Sequence, residues 1–440
     1  MKKTAFFLLS CLLLPLLAGC SALAGEPTSV PTMAPTPTEV LVKANGSIGD
    51  TTLAQGNAGA PYQKFWSYCG FLPDTATPAE LTAACELPKM SGVTLEFGWT
   101  ARELNLESNW RNMRWSFELD GAKVDLADFK TFEVITPDGD VNIFSRTWNI
   151  DLLGLNPGSH NMRIAWQSDV LLNSGTATYQ PGVYAHTIDF TVLEPETYPA
   201  LSLSTQPGFH TFHSEKTGLD LLLYIPQPPS PPASPSDLAQ PIPTAQPSQP
   251  APLIIALHGS EYRGVPLSVL QKSVFVSELA TQGGLPFIVV APVGDGGFEF
   301  WSKPALKEKV LQLTQEVSEL YPVDTKRISL MGDGMGANGV WVLGLENPET
   351  FAALLPVGGY YGYPFDVPKN ICDLKEVPVR AFHGGKDIFV PAEVEQDLID
   401  ALSACGGDAN MTMHEESTAN SLPFIYRNNE MYSWLALQSK

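Results

Sequence analysis

Basic residues are scarce in this chain of 440 residues. Lys and Arg together number 26 against 47 Asp and Glu, so the formal net charge is −21 at pH 7. Nucleic acid and anionic lipid head groups repel a surface this acidic. The composition therefore excludes a nucleic-acid-binding protein, and a nucleic-acid partner is not expected.

Long apolar runs are missing after the first 20 residues, and a membrane-spanning helix needs about 20 of them. The chain itself begins with two lysines, a shorter apolar run, and Leu-Ala-Gly before Cys20. This beginning resembles a bacterial lipoprotein signal peptide, here residues 1–19. The resemblance implies an exported protein whose Cys20 carries a lipid, anchored outside the cytoplasm to the cell membrane or the outer membrane. An ordinary secretory peptide cleaved at Ala22 or Ala24 is the alternative.

Cysteine is rare, and the six cysteines show no C-x-x-C spacing of the kind that metal and redox sites use. No metal site and no cofactor are therefore expected. In an exported protein, the four cysteines after Cys20 should form disulfides. Proximity in the sequence favours Cys69 with Cys85 and Cys372 with Cys405, although four cysteines allow three pairings. Four buried free thiols are the alternative.

Two segments, residues 20–42 and residues 226–252, contain mainly proline and small or polar residues and few large apolar ones. Segments of this composition cannot bury enough apolar surface to fold. The first is predicted to be an extended tether beside the lipid. The second is predicted to be an extended insertion on the surface of the C-terminal domain, residues 196–440.

Apolar residues alternate with polar ones between residues 43 and 195. Four such runs cover residues 93–97, 115–119, 162–166 and 188–192. A period of two is typical of strands with one buried face. Turn sequences rich in Gly, Pro, Asn and Asp separate the runs. Residues 43–195 are therefore predicted to form an all-β sandwich of immunoglobulin-like type.

Strand and helix patterns alternate between residues 196 and 440. The short apolar runs that predict strands are residues 201–203, 219–225, 253–257, 287–291, 328–331 and 379–382. The segments with helical spacing are residues 305–320 and 392–404. The first two strands are expected to pair with each other. This alternation predicts a mostly parallel sheet with helices on both faces.

Four short sequence motifs occur together in this second domain. They are His258-Gly-Ser260, Gly332-Asp-Gly-Met-Gly336, His383-Gly-Gly-Lys-Asp387, and a closing segment with Tyr426 and Trp434. The first three each follow a predicted strand. Together the motifs resemble the esterase, phospholipase/carboxylesterase and predicted-peptidase branch of the α/β-hydrolase superfamily. The resemblance covers most of the C-terminal domain and implies an α/β-hydrolase fold.

The same resemblance assigns the catalytic triad of that branch to three positions of this chain. Asp387 corresponds to the carboxylate, Gly334 to the serine nucleophile and Ala419 to the histidine. The backbone N–H groups of Ser260 and Met335 correspond to the donors that stabilise an oxyanion. Glycine and alanine can neither attack a carbonyl nor carry a proton, so the triad is expected to be vestigial.

Two residues near these motifs are candidate replacements for the missing groups. Asp333 precedes the apex residue, and its carboxylate is expected to point away from the oxyanion donors. His414 lies five residues before Ala419 on a predicted strand, where it is expected to pack or to face solvent. Neither replacement is favoured.

The sequence leaves three hypotheses for function. The favoured one is an exported, lipid-anchored binding or scaffolding protein with a catalytically degenerate hydrolase domain, whose ligand is a small molecule, a glycan or a protein. The second is an active carboxylic-ester hydrolase or peptidase that uses a non-standard nucleophile and base. In the third, the β-sandwich binds carbohydrate or protein and the hydrolase-like domain supports it. The membrane, through the N-terminal lipid, is a partner in each of them.

Overall fold

The computed structural model describes residues 40–56, 62–70, 75–138, 141–227, 250–273, 275–278, 285–294, 301–362, 365–387, 389–417, 425–427 and 429–440. The predicted signal peptide, Cys20, most of the tether, most of the insertion, and Ala419 lie outside these residues. Residues 41–440 form one compact unit. None of the helices in the described part has the length and apolar character that a membrane span requires.

The N-terminal part, residues 41–195, consists mainly of strands. They are β1 (Ser47–Ile48), β2 (Thr51–Gln55), β3 (Gln63–Lys64), β4 (Ala79–Leu87), β5 (Gly92–Arg102), β6 (Arg114–Leu119), β7 (Ala122–Val124), β8 (Thr131–Asp138), β9 (Val141–Leu153), β10 (Gly158–Ser168), β11 (Leu172–Asn173), β12 (Thr178–Tyr179) and β13 (Gly182–Val192). Its helices are α1 (Trp66–Cys69) and α2 (Glu103–Arg111), with a 3₁₀ turn at Leu126–Asp128. One main sheet has the order β1-β2-β9-β5-β3, with β8 also paired to β9, and the other has the order β4-β13-β10-β6-β7.

The two main sheets of this part pack face to face through alternate residues. The rings of Phe97 on β5 and Phe117 on β6 lie 5.7 Å apart, and those of Trp99 and Trp166 lie 5.2 Å apart. The four predicted strands are confirmed, because they fall within β5, β6, β10 and β13. The immunoglobulin-like class and the domain bounds stay predictions. Cys69 on α1 is bonded to Cys85 on β4, as predicted.

The C-terminal part, residues 196–440, contains a second set of strands and helices. The strands are β14 (Gly208–Ser214), β15 (Leu219–Ile225), β16 (Ala251–Leu257), β17 (Ile288–Pro292), β18 (Val323–Asp333), β19 (Ala353–Val357), β20 (Val379–Gly384) and β21 (Ala409–His414). The helices are α3 (Leu267–Leu270), α4 (Pro304–Leu320), α5 (Met335–Glu346), α6 (Ala392–Ala404) and α7 (Asn429–Leu437). The 3₁₀ turns are Ser260–Tyr262 and Ile371–Leu374. A second disulfide joins Cys372 to Cys405, as predicted.

These eight strands form one sheet in the order β14-β15-β17-β16-β18-β19-β20-β21. Strand β15 is antiparallel to both of its neighbours, and the five other pairings are parallel. The prediction of a mostly parallel sheet is confirmed. Since the carboxyl ends of parallel strands meet at one edge, the loops after β16, β18 and β20 lie along the same edge.

Helices cover both faces of the sheet, as predicted. On one face, buried residues of α4, α5 and α6 form a cluster with strand residues such as Ile255 and Leu330. On the other face, α3 and α7 pack on strand residues such as Ile254 and Met331. This second cluster also includes the interior of the N-terminal sheets.

The prediction that residues 201–203 form a strand is wrong. Strand β14 is the partner of β15, and their pairing runs from Ser214 opposite Leu219 to Gly208 opposite Ile225. In the turn between them, Gly218 has φ +69° and its N–H donates to the carbonyl of Ser214 at 2.7 Å. A hairpin this short closes at little entropic cost, so it outcompetes a more distant pairing. Strand β16 also begins at Ala251, inside the segment predicted as an insertion.

Candidate functional site

A single residue separates strand β18 from helix α5. Gly334 has φ +51° and ψ −107°, a left-handed conformation that favours glycine. Its N–H donates to the carbonyl of Val357 on β19 at 2.9 Å, and its carbonyl accepts from the N–H of Asn338 at 3.0 Å. This sharp strand-to-helix turn has the form of the elbow that presents the nucleophile in hydrolases of this type. A Cβ built on Gly334 would meet no atom of the described chain within 4 Å.

The glycines on either side of the apex let the elbow pack against the backbone of β16. A Cβ on Gly336 would overlap the carbonyl oxygen of Leu257 and lie 3.0 Å from that of His258. A Cβ on Gly332 would lie 2.7 Å from the same oxygen of Leu257. Only glycine permits this backbone-to-backbone approach, which explains the spacing of glycines in the motif.

The turn after β16 is fixed by a neutral histidine. Nε2 of His258 accepts from the N–H of Gly294 at 3.1 Å, so Nδ1 carries the proton and donates to the carbonyl of Gly259 at 2.7 Å. Burial lowers the pKa of His258 to about 4, and the charge of Arg263 acts in the same direction. Trp301 Nε1 donates to the carbonyl of His258 at 3.0 Å. His258 therefore has a structural role.

The two predicted oxyanion donors lie at the start of the turn and of the helix. Ser260 begins the short 3₁₀ turn, and Met335 is the first residue of α5. An N–H group in the first turn of a helix has no partner within that helix. Their joint action on an oxyanion stays a prediction.

Asp387 lies in the turn that follows β20, and its side chain is almost completely buried. Its Oδ1 accepts from the N–H groups of Phe389 and Val390 at 2.8 and 3.1 Å. The N–H of the preceding residue, Lys386, donates to the carbonyl of Ser417 at 2.9 Å. The chain leaving β21 therefore passes beside this turn two residues before Ala419.

His414 lies on a strand, as predicted, and is the last residue of β21. Its ring is nearly parallel to that of Phe382, with centroids 6.4 Å apart and an interplanar angle of 18°. The packing role expected for His414 agrees with this contact.

The carboxylate of Asp333 contacts the turn after β16, and its orientation relative to the oxyanion donors stays a prediction. The carboxylate accepts hydrogen bonds from the backbone of Gly259 and from the hydroxyl of Tyr426. Burial, together with the negative charge of Glu261, raises the pKa of Asp333 to about 8. Alternate residues of a strand share a face, so Asp333 lies on the same face as Met331, and the turn folds over that face.

Glu261 and Tyr426 complete an acidic group whose two carboxylates are partly buried and which the sequence does not reveal. Burial raises the pKa of Glu261, and a cavity of about 50 Å³ lies beside it, lined also by Asp333, Tyr262 and Phe275. Glu261 stands between serine and tyrosine in a loop, where a solvent-facing carboxylate is the ordinary expectation. The sequence carries no signal that would have found this group.

Arg263 links the turn to the N-terminal sheets. Its guanidinium carbon lies 5.6 Å from the ring centre of Tyr62, and its charge acts on Asp151 and Glu261. Burial lowers the pKa of Arg263. Beside it, Gln63 Nε2 donates to the carbonyl of Glu261 at 3.1 Å. The N-terminal part therefore forms one wall of the turn.

A second buried group lies on the other side of the elbow, around Glu395. Trp341 Nε1 donates to its Oε1 at 3.0 Å, and its Oε2 accepts from the N–H of Gly359 at 2.9 Å and from Nδ1 of His383 at 2.7 Å. Burial alone would lower the pKa of His383, but the hydrogen bond and charge of Glu395 raise it. This group ties α5, α6, β20 and the turn after β19 together.

The spacing of α6 contains a signal for Glu395. It precedes Leu398 and Ile399 by three and four residues, which places it on the apolar face of the helix. A carboxylate at that position requires buried partners. In the described part of the chain, no three His, Cys, Asp or Glu side chains are grouped in a way that could hold a metal ion.

Comparison with known proteins relates the C-terminal part to hydrolases. Residues 298–421, which include Gly334, Asp387 and Ala419, match the Dienelactone hydrolase family. Over 102 residues, or 21% of this chain, the sequence is 31% identical to a putative carboxymethylenebutenolidase of Yersinia pestis, and the match covers 37% of that protein. The chain thus spans little more than a third of the length of this relative.

Solved structures with similar folds include two hydrolases. A thermostable esterase is 18% identical, with 82% of this chain and 99% of that chain covered and a TM-score of 0.40. A putative dienelactone hydrolase of Klebsiella pneumoniae is also 18% identical, with 52% and 98% covered and a TM-score of 0.36. The C-terminal part has a mixed eight-stranded sheet with helices on both faces, and residues 298–421 within it are similar to a family of hydrolases.

Proposed function

We propose that this protein is an exported, lipid-anchored binding or scaffolding protein whose hydrolase-type site no longer performs hydrolysis. The observation that carries the proposal is the elbow apex itself, where Gly334 has the conformation of a nucleophile but no side chain. In a serine hydrolase, loss of the nucleophile lowers turnover by about a millionfold, which is near 8 kcal/mol. The residual rate, about 10³ to 10⁴ over water, is too slow for a biological hydrolase.

Several features support a site that keeps its shape. The elbow packs on β16 through Gly332 and Gly336, and the neutral His258 holds the adjoining turn. No described atom lies within 4 Å of a Cβ built on the apex residue, which leaves room there for a ligand group. The loops along this edge of the sheet determine whether the site binds a small molecule, a glycan or a protein.

An active hydrolase is the second candidate, and the comparisons favour it. The matched family and the Yersinia pestis relative are both named as hydrolases. The carboxyl groups of Asp333 and Glu261 lie next to the elbow and could replace the missing groups. Against this candidate, burial and the charge of Glu261 raise the pKa of Asp333 to about 8, so Asp333 is mainly protonated at neutral pH. A protonated carboxyl group is a poor nucleophile.

Ester hydrolysis separates the two candidates. We expect the wild-type protein to show no turnover of short-chain p-nitrophenyl esters above buffer and no labelling by a fluorophosphonate. Since no described atom lies near a Cβ at the apex, Gly334→Ser with Ala419→His should become labelled and gain hydrolysis by about 100-fold or more, the scale of one general base.

Gly334→Ala with Ala419→His is the matched control, because it has the same backbone strain without a nucleophile, and it should remain inert. Turnover by the wild type that Asp333→Asn abolishes would establish the second candidate. A folded but inert Ser/His variant would show that the pocket has lost its shape.

The lipid anchor is tested through its cysteine. We expect Cys20→Ser to move the protein from the membrane fraction to the soluble fraction after cell lysis, since a protein this acidic is repelled by anionic lipid. Metabolic labelling with a radioactive fatty acid should disappear in the same variant. Retention of the variant in the membrane fraction would contradict a lipid on Cys20.

A further inference from the structure

Two carboxyl groups from distant parts of the chain meet at Gly259. A Cβ built on Gly259 would lie 2.5 Å from Oε2 of Glu261 and 3.0 Å from Oδ2 of Asp333. Glu261 belongs to the turn after β16, and Asp333 ends β18. The two oxygens therefore lie on the same side of the Gly259 backbone, no more than about 5.5 Å apart, between the turn and the elbow.

Glu261 and Asp333 are both partly buried, and two like charges this close in such a place repel each other more strongly than in water. The cation nearest to the pair is Arg263, but its charge acts on Glu261 and is shared with Asp151 and Tyr62 of the N-terminal part. Asp333 is instead stabilised by hydrogen bonds from Gly259 and Tyr426. A proton held between the carboxyl groups removes the repulsion.

We propose that Asp333 and Glu261 form a proton-sharing pair that holds the turn of residues 258–264 against the elbow and loosens it when the proton leaves. With one proton, the pair carries a single negative charge, and the repulsion between the two carboxyl groups is absent. When that proton passes to solvent, the pair carries two negative charges. Their repulsion then acts to separate the turn from β18.

The turn is the part of this pair that can move. Asp333 is fixed by its place in a central strand, whereas Glu261 lies in a three-residue 3₁₀ turn. Movement of the turn widens the cavity beside Glu261 and displaces the N–H of Ser260. The shape of the candidate site therefore depends on pH.

The histidine, tyrosines and arginine that surround the pair do not change their protonation state between pH 5 and pH 9. Burial lowers the pKa of His258 to about 4 and raises that of Tyr68 to about 12. Burial also raises the pKa values of Tyr262, Tyr426 and Tyr432 well above their usual range. Arg263 stays charged, because arginine is not deprotonated in proteins. Unlike these groups, the pair changes charge in that range. Burial also raises the pKa of Asp151, which interacts with Arg263.

Hydrogen exchange of the backbone tests the switch directly. Protection of the amides of residues 258–264 is measured by mass spectrometry at pH 6 and pH 9, after correction for the intrinsic exchange rate. In the wild type we expect protection to fall by up to about tenfold per pH unit as pH rises towards 8, and to level off above pH 8, where Asp333 is fully ionised. In Asp333→Asn, which keeps an acceptor for Tyr426 but cannot ionise, protection should not change with pH.

Glu261→Gln provides a second variant in case the first folds poorly, and it should abolish the pH dependence in the same way. Asp397→Asn, an exposed carboxylate on α6, is the matched control and should behave as the wild type. Unfolding gives an independent measure. The folded-state pKa of Asp333 is raised from 3.8 to about 8, so its stabilising effect is complete below the first value and lost as pH rises through the second.

The equilibrium constant for unfolding should therefore rise with pH across that range in the wild type, and less so in both variants. A pH-independent protection of residues 258–264 in the wild type would overturn the proposal. So would an unchanged pH dependence in both Asp333→Asn and Glu261→Gln.

Discussion

Gly336→Ala should leave most of the protein unfolded, whereas Gly334→Ala should leave it folded. The new methyl group at position 336 would overlap the carbonyl oxygen of Leu257 and lie 2.7 Å from its carbonyl carbon. Both belong to the backbone of central strand β16, which cannot move without breaking its hydrogen bonds to β17 and β18. We expect a loss of more than about 4–5 kcal/mol in the free energy of unfolding, the scale reached when a change disrupts the core.

Gly334→Ala is the matched control for this prediction. The apex has no described atom within 4 Å of a new Cβ, so the cost is limited to the strain of φ +51°. Such strain costs about 1–3 kcal/mol. Urea denaturation followed by tryptophan fluorescence measures both variants. Equal losses for the two alanines would show that the close contact between elbow and β16 is not as described.

Glu395→Gln should lower the free energy of unfolding by less than Gly336→Ala but by more than Gly334→Ala. The amide cannot satisfy all three donors, which are the indole N–H of Trp341, the N–H of Gly359 and the imidazole of His383. It also removes the nearer of the two carboxylates beside the buried His383, leaving only Asp387, whose Oδ2 lies 3.8 Å from Nε2. Breaking a buried ion pair in this way costs about 3–5 kcal/mol.

The pH dependence of this effect has a definite sign. The pKa of His383 is raised in the folded protein, so the stability due to the pair is present below the ordinary histidine pKa of about 6.5 and is lost as pH rises through the raised value. The difference in stability between wild type and Glu395→Gln should therefore be largest at pH 6 and smaller at alkaline pH. Denaturation at several pH values measures it.

Glu393→Gln is the control, since Glu393 is exposed in the first turn of the same helix. Its free energy of unfolding should stay within about 0.5 kcal/mol of the wild type at each pH. A small effect of Glu395→Gln, or one that grows with pH, would mean that His383 is not held in its charged form.

Much of the fold could be predicted because its local patterns agree with its tertiary structure. Helix α6 begins and ends where the periodicity of residues 392–404 indicates, and the short apolar runs of the C-terminal part coincide with strands of one sheet. The apolar run at 201–203 is only three residues long, and β15 pairs instead with β14 in a short hairpin. Strand β16 starts earlier than predicted because Ala251 and Pro252 have the composition of the insertion before them.

The candidate site was predictable only in part. A sequence motif indicates where the backbone turns, but it does not indicate which distant side chains will contact each other. The glycine spacing located the elbow, since close backbone approach allows no other residue at two of those positions. The meeting of Asp333 with Glu261 depends on how a loop folds over a strand that lies about 70 residues away in sequence. No short-range pattern contains that information.

The wall that the N-terminal part contributes also limits how the protein can be shortened. Ser91 donates through its N–H to the carbonyl of Gly264 at 3.2 Å, and Tyr62 covers one side of Arg263. A truncated chain that began at residue 196 would expose both contacts to water and would give Arg263 a new environment. A ligand screen should therefore use residues 41–440, the compact unit that contains both contacts.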